Sequence, residues 1–157
     1  MPAESIYVAQ LMLTFQAVGV GEAHDNGDAR RKVIEWIEKD WVNDLVVELP
    51  SFAGAQGAAI LDRLWTNPVT LTQLLQTAAA NNVNVHAWDD FHQVGVEQGS
   101  AAGMAGRNRA VAAAFAQQFG AVTNAHHCVI LFGANHFTGD NGFEALLPGL
   151  KWADLSR

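Results

Sequence analysis

Residues 18–24, with the sequence VGVGEAH, decide how the rest of the chain is interpreted. An apolar run containing two glycines ends here, and a carboxylate and an imidazole follow at Glu22 and His24. Glycine allows the backbone to turn sharply and lets a ligand approach closely. A strand followed by a plain polar turn is the alternative interpretation, because GExH is a short motif. We expect the other segments to bring further polar side chains to this pair.

Length and composition predict one globular domain over residues 1–157. Half of the residues are hydrophobic and 16% are charged, which excludes a disordered chain. A chain of 157 residues has the size of one ordinary domain with a sizeable core.

The charge balance argues against nucleic acid and against an anionic membrane surface as partners. The formal net charge is −7, and the basic run RRK at 30–32 is flanked by acidic residues. We expect a small-molecule or peptide substrate instead, and the oligomeric state stays open.

Cysteine usage and the N-terminus indicate a cytoplasmic protein without disulfides. Cys128 is the only cysteine and lies in an apolar run, where it is expected to be a buried small hydrophobe. The first residues lack a basic segment and include Glu4, so they make a poor signal peptide. No apolar run approaches the length of a membrane span. Alternatively, the chain is a piece of a larger protein, or it is exported by a route that needs no cleaved signal.

Hydrophobic periodicity predicts an α/β fold, with a mostly parallel central sheet and helices on both of its faces. The predicted strands are 17–21, 45–49, 83–88 and 128–132. The predicted helices are 29–39, 56–65, 70–80 and 101–119, with 5–13 as a helix rather than an edge strand. The tail is predicted to form a short helix over 143–147 and a terminal segment packed on the edge.

Several residues predict how these helices begin, pack and end. Asp28 is a candidate N-cap for the helix over 29–39. Ile60, Leu61 and Leu64 are expected to face the core. The pair Asn81 and Asn82, and likewise Gly120, fit helix stops because these residue types tolerate a left-handed backbone.

Polar residues recur at the carboxyl ends of the predicted strands. Because these ends meet at one edge of a parallel sheet, we expect a site there. The residues concerned are Glu22, His24, Glu48, His86, Asp89 and His136. We interpret His86 as a satisfied core or rim histidine. We interpret Asp89 and its neighbour Asp90 as solvated turn residues, with a place in the pocket lining as the alternative.

Glu48 is the clearest candidate for a site residue, because it lies in an apolar strand that should be buried. A buried carboxylate needs a partner, and Arg107 on the long helix is expected to reach it or to point into the same pocket. An ion pair that only locks this helix to the sheet is the alternative. Asn108 falls on the apolar stripe of the same helix and also needs a partner. His24 and His136 are expected in loops outside the core, so that replacing either should leave the fold intact.

Four segments in this order resemble the superfamily of erythromycin-esterase-like, TraB/Tiki and ChaN-like haem-binding proteins, which also includes bacterial toxin and effector domains. They are GEAH, VVELP, RNRAVAAAF and VILFGANHF, and the resemblance covers residues 18–137. It implies an α/β sheet. It also implies site roles for Glu22, His24, Glu48, Arg107, Asn108 and His136.

A small hydrolase is the function we favour. His24 or His136 would act as general base on water, oriented by Glu22 or Glu48. Arg107 and Asn108 would stabilise the oxyanion, with Asp89 as a further substrate contact. The chain has no GxSxG nucleophile elbow, so direct attack by water is expected.

A binding module without turnover is the alternative function. Glu22, His24 and His136 could hold a divalent metal, either as a static site or to activate the water of the hydrolase. The spacing is not that of a recognised metal motif such as HExxH. A histidine could instead ligate haem. The domain could also be an effector or toxin domain without turnover.

Overall fold

The computed structural model describes residues 4–51, 54–90 and 101–156. The helices are α1 (Glu4–Met12), α2 (Asp28–Glu38), α3 (Gly54–Leu64), α4 (Leu71–Ala80), α5 (Ala101–Phe119) and α6 (Phe143–Leu146). The strands are β1 (Val18–Glu22), β2 (Asp44–Val47), β3 (Asn84–Ala87), β4 (Cys128–Gly133) and β5 (Lys151–Asp154). The sequence predicts a loop over 89–100, with His92 as a weak site candidate, and residues 91–100 of it lie outside the described residues.

The five strands form one parallel sheet in the order β3-β2-β4-β1-β5, which confirms the predicted fold class. β4 lies between β1 and β2, and all six of its residues are buried. The register pairs Glu22 with Gly133 and Val47 with Leu131. The carboxyl ends of β1, β2 and β4 therefore lie side by side at the centre of the sheet.

Helices cover both faces of the sheet, as predicted. Side chains from α1, α2, α3 and α4 pack with Val129 and Leu131 of β4. Side chains from α5 and α6 pack with Ile130 and Phe132 of the same strand. Successive residues of a strand point to opposite faces, so the unbroken apolar run of β4 serves both layers.

The terminal segment forms a fifth strand that the sequence did not predict as a strand. Residues 151–154 pair with β1 in parallel, and the Leu155 N–H donates to the Gly21 carbonyl at 2.8 Å. Only Trp152 and Ala153 are fully buried among these four residues. Two apolar positions give no usable periodicity, so pairing with β1 is what defines this strand.

Two predictions about helix ends and faces were wrong. α2 begins at Asp28, and its N-cap position is Gly27, while the Asn26 side chain accepts the Asp28 N–H at 2.9 Å. Ile60 and Leu64 are 53% and 70% exposed, because α3 packs on the core through Ala58 and Leu61 instead.

Other local predictions hold. Asn82 and Gly120 have positive φ angles of 57° and 85° at the ends of α4 and α5. His86 Nε2 lies 2.8 Å from Asp44 Oδ1, as expected for a satisfied rim histidine. Cys128 is fully buried, and burial together with the charge of Asp44 raises the pKa of its thiol well above the usual range. Among the described residues, no helix combines the length and the hydropathy that a membrane span requires.

Gly19 is required by close packing at the centre of the sheet. A Cβ at this position would collide with the Phe137 ring and lie 2.8 Å from Trp152 Cβ. We expect Gly19→Ala to lower the free energy of unfolding by about 1–3 kcal/mol, because overpacking forces neighbouring side chains to move. Urea denaturation measures this. Gly133→Ala is the control, since its Cβ would meet its nearest neighbours at 3.5 Å. Equal losses in both variants would contradict the packing argument.

Candidate active site

A cavity of about 620 Å³ opens at the carboxyl edge of the sheet. Glu22 is the last residue of β1, and Glu48 comes directly after β2. His136 lies in a short 3₁₀ turn after β4. The cavity is lined by Glu22, Ala23, His24, Glu48, Trp65, Met104, Arg107, Gly133, Ala134, Asn135, His136 and Ser156. The structure thus brings together the four residues predicted as catalytic.

Glu48 is the centre of the site and receives several donors. Its Oε1 accepts the Gly133 N–H at 3.1 Å and lies 3.0 Å from His136 Nε2. Its Oε2 lies 3.3 Å from His24 Nε2 and 3.9 Å from Arg107 Nη2. Burial would raise the pKa of Glu48, but the hydrogen bond from His136 and the charges of His136, His24 and Arg107 lower it to about 2. Glu48 is therefore a carboxylate at any physiological pH.

His136 is held at both ring nitrogens. Its Nδ1 lies 2.6 Å from Asn108 Oδ1, and its Nε2 faces Glu48. The amide of Asn108 is itself oriented, because its Nδ2 donates to the His136 and Asn141 carbonyls at 3.3 and 2.8 Å. Both ring nitrogens thus face side-chain oxygens of neighbouring residues, which fixes the orientation of the ring. The prediction that His136 lies outside the core was wrong, since only 3% of it is exposed.

His24 is the more accessible imidazole of the pair. Its side chain is 34% exposed and stacks on Trp65, with ring centroids 3.7 Å apart and planes 2° from parallel. Its Nδ1 is buried and lies 3.5 Å from Glu22 Oε1, too far for a well-formed hydrogen bond. Burial would lower the pKa of His24, but Glu22 and the charge of Glu48 outweigh it and raise that pKa.

Glu22 is paired with a residue that the sequence reasoning missed. Arg30 donates from Nε and Nη2 to the two Glu22 oxygens at 2.8 and 3.0 Å, and from Nη1 to the Val69 carbonyl at 2.7 Å. The sequence grouped Arg30 with the charged surface of α2, yet only 1% of it is exposed. Its position three before Val33 and seven before Ile37, on the apolar stripe, is the signal that could have found it.

Arg107 takes a different main partner from the predicted one. Its Nε and Nη2 donate to Asp89 at 2.9 and 2.6 Å, whereas Glu48 is 3.9 Å away. Asp89 is 1% exposed, so its interpretation as a solvated turn residue was wrong. Asp89 and Asn108 lie outside the cavity lining, behind Arg107 and His136. Their predicted contact with substrate is therefore indirect in this geometry.

Three of the remaining pocket residues, Trp65, Met104 and Ser156, lie away from the ends of the predicted strands. Trp65 follows α3, Met104 is on α5, and Ser156 follows β5, where Asp154 accepts its N–H and hydroxyl. Asn135 is exposed between the Gly133 turn and His136. Strand-end reasoning cannot find residues that reach the pocket from helices or from an unpredicted strand.

The charges in the network nearly cancel. Three buried carboxylates, those of Glu22, Glu48 and Asp89, face two guanidiniums, those of Arg30 and Arg107. The carboxylates therefore exceed the guanidiniums by one charge. His24, whose pKa is raised, is the more exposed of the two imidazoles beside this network.

These residues do not fit a divalent metal. Among the described residues, no group of three or more His, Cys, Asp or Glu side chains is arranged to hold one. The Nε2 atoms of both histidines are within hydrogen-bonding range of Glu48, and the Arg107 guanidinium lies beside the same carboxylate. A second cation there would be repelled by Arg107.

The raised pKa of His24 makes part of the stability depend on pH. A group with a raised folded pKa contributes stability that is full below its unfolded pKa, near 6.5, and is lost as pH rises through the folded value. We expect the stability difference between the unmodified chain and His24→Gln to shrink as pH rises above 6.5. Denaturant titrations across that range measure it; a difference that grows with pH would contradict the assigned shift.

Comparison with known proteins shows the fold and goes no further. A solved structure described as bacterial protein toxins is similar with a TM-score of 0.65 and 16% identity. The match covers 99% of this chain and 37% of that chain, so this domain spans well under half of that protein. At such identity the likeness establishes a shared α/β architecture. No family model and no curated protein matches the chain, so the superfamily resemblance stays a prediction.

Proposed function

We propose that this domain is a hydrolase that activates water with His24. The observation that carries the proposal is that the imidazoles of His24 and His136 both contact one buried carboxylate, that of Glu48. This contact lies inside a cavity of about 620 Å³. Titratable groups with shifted pKa values in a cavity are typical of active sites.

His24 is the proton carrier in this proposal. It takes a proton from water as the hydroxide adds to the carbonyl carbon of an ester or amide. The tetrahedral intermediate then collapses, and the leaving oxygen or nitrogen takes the proton back from His24. The carboxylates of Glu22 and Glu48 flank the ring and stabilise the imidazolium that forms between these steps.

Glu48 and His136 serve as positioning residues. A carboxyl group with a pKa of about 2 is too weak a base to take a proton from water at neutral pH. His136 is held between Asn108 and Glu48 and is only 3% exposed, so it has little freedom to exchange protons with substrate. His136, which is held by Asn108, thereby fixes the position of Glu48 beside the His24 ring.

Arg107 is the proposed stabiliser of the oxyanion. It lines the cavity, and Asp89 holds its guanidinium by two hydrogen bonds. A preoriented cation costs no reorganisation when negative charge develops on the substrate oxygen. Asn108 is not assigned this role, because its amide is committed to the His136 ring and two carbonyls. No step is assigned to a metal or haem.

A second proposal is that the domain acts as the catalytic part of a toxin or effector. Its support is the architecture shared with the bacterial toxin structure, of which this chain matches 37%. Inducible expression in bacterial and in eukaryotic host cells tests it. We expect growth arrest from the unmodified chain and normal growth with His24→Gln; normal growth with both in every host would contradict it.

A hydrolysis screen tests the primary proposal. The purified chain is incubated with ester, amide and phosphoester substrates, each with a chelator and with added divalent metals. We expect hydrolysis of an ester or amide that persists with the chelator and disappears in His24→Gln. Hydrolysis that requires added metal would contradict the mechanism, and so would a Soret band on titration with haem in place of any turnover.

A further inference from the structure

The outer side of α1 and the turn after it carries a concentrated apolar surface. Of the seven large hydrophobic side chains exposed in the described residues, four lie between positions 7 and 15. They are Tyr7 at 75% exposure, Val8 at 43%, Leu11 at 70% and Phe15 at 71%, and we call them the α1 face. On the other side of this segment, Ala9 of the helix and Leu13 of the turn pack into the core. α1 is therefore held in place by one side while its apolar outer side meets solvent.

This surface is uncharged and adjoins a groove. The sequence has no charged residue between Glu4 and Glu22. A cavity of about 300 Å³ lies beside the helix, lined by Leu11, Phe15, Trp41 and His127 among others. His127 precedes β4, so the groove lies at the edge of the sheet opposite the candidate active site. A partner bound here would leave that site open.

The area of the α1 face matches what a small symmetric interface needs. Its four side chains expose roughly 500 Å² of mainly apolar surface, comparable to the largest patch on a typical monomer. Two copies face to face would bury roughly 1,000 Å², the lower limit for a specific interface. The same surface supplies projecting aromatic side chains and a groove, so it can be complementary to itself across a two-fold axis.

We propose that a second copy of this chain binds the α1 face and forms a two-fold dimer. Tyr7 and Phe15 of each copy pack against the partner, next to the groove, and Leu11 lies at the centre of the contact. Each copy carries a formal charge of −7, whose repulsion opposes association. Because the interface itself is uncharged, added salt screens this repulsion and strengthens the dimer.

Sedimentation equilibrium of the 157-residue chain across micromolar concentrations tests the proposal. We expect the mass to rise from 16.9 kDa towards twice that value, more steeply at higher salt. Leu11→Arg should stay monomeric, whereas Leu64→Arg, at an equally exposed leucine on α3, should associate as the unmodified chain does. A monomer at every concentration would overturn the proposal and leave the α1 face for another partner. Equal behaviour of the two variants would overturn it as well.

A crosslinking experiment locates the interface independently of affinity. The only native thiol, Cys128, is fully buried, so a cysteine placed at position 11 is the accessible one. We expect Leu11→Cys to be joined into covalent dimers by a short bismaleimide, and Leu64→Cys to remain monomeric under the same conditions. Crosslinking at position 64 alone would place the contact elsewhere and overturn the proposal.

Discussion

We expect that replacing His24 with glutamine lowers kcat/KM by a factor on the order of 10²–10⁴, the usual contribution of a general base. Glutamine occupies a similar space but cannot take a proton from water. Because the His24 side chain is 34% exposed, the folded structure should survive, as circular dichroism and thermal melting would show. The decrease should appear in kcat, since the proton is transferred only in the chemical step.

His126→Gln is the control for this prediction. His126 is exposed at the opposite edge of the sheet, where its Nδ1 lies 3.0 Å from the Thr14 carbonyl. It should keep full activity. If His24→Gln retained activity within a factor of two or so of the unmodified chain, His24 would not be the base.

Arg30→Ala is expected to have the largest effect on stability, about 3–5 kcal/mol, because it leaves the buried Glu22 carboxylate without its partner. Both side chains are almost fully buried, and the guanidinium also satisfies the Val69 carbonyl. Arg30→Lys keeps the charge and loses the two-pronged geometry, so it should recover only part of this loss. Urea denaturation at neutral pH measures all of these variants.

The neighbouring arginine provides a matched control. Arg31 pairs with Asp28 at 3.2 Å on the surface of the same helix, where both side chains are more than half exposed. Exposed pairs contribute little, so Arg31→Ala should change the stability by less than about 1 kcal/mol. Similar losses for Arg30→Ala and Arg31→Ala would mean that the Glu22–Arg30 pair does not anchor the site.

The sequence predicted the members of the site better than their pairing. Glu22, Glu48 and His136 follow buried strands, and parallel topology alone brings such ends to one edge. Which donor meets which acceptor depends on distances of a few ångströms between elements far apart in the chain. Arg107 illustrates this, because Asp89 rather than Glu48 turned out to be its main partner.

The site residues that the sequence analysis missed do not lie at the ends of predicted strands. Arg30 could have been found, because it shares the apolar stripe of α2 with Val33 and Ile37. Trp65 gave no such signal, since a tryptophan at the end of an amphipathic helix is ordinarily a packing residue. Its stacking on His24 results from how α3 lies over the sheet. The edge strand β5 was likewise defined only by its pairing with β1.

The pH dependence of kcat/KM, measured with a chelator present, shows whether neutral His24 is the base. His24 must be neutral to act as a base, and its pKa is raised above 6.5 by Glu22 and Glu48 against the effect of burial. We therefore expect a rate that rises with pH through a single ionisation above 6.5 and then levels off. A rate that falls over this range would make the protonated imidazole the active form and would contradict the account.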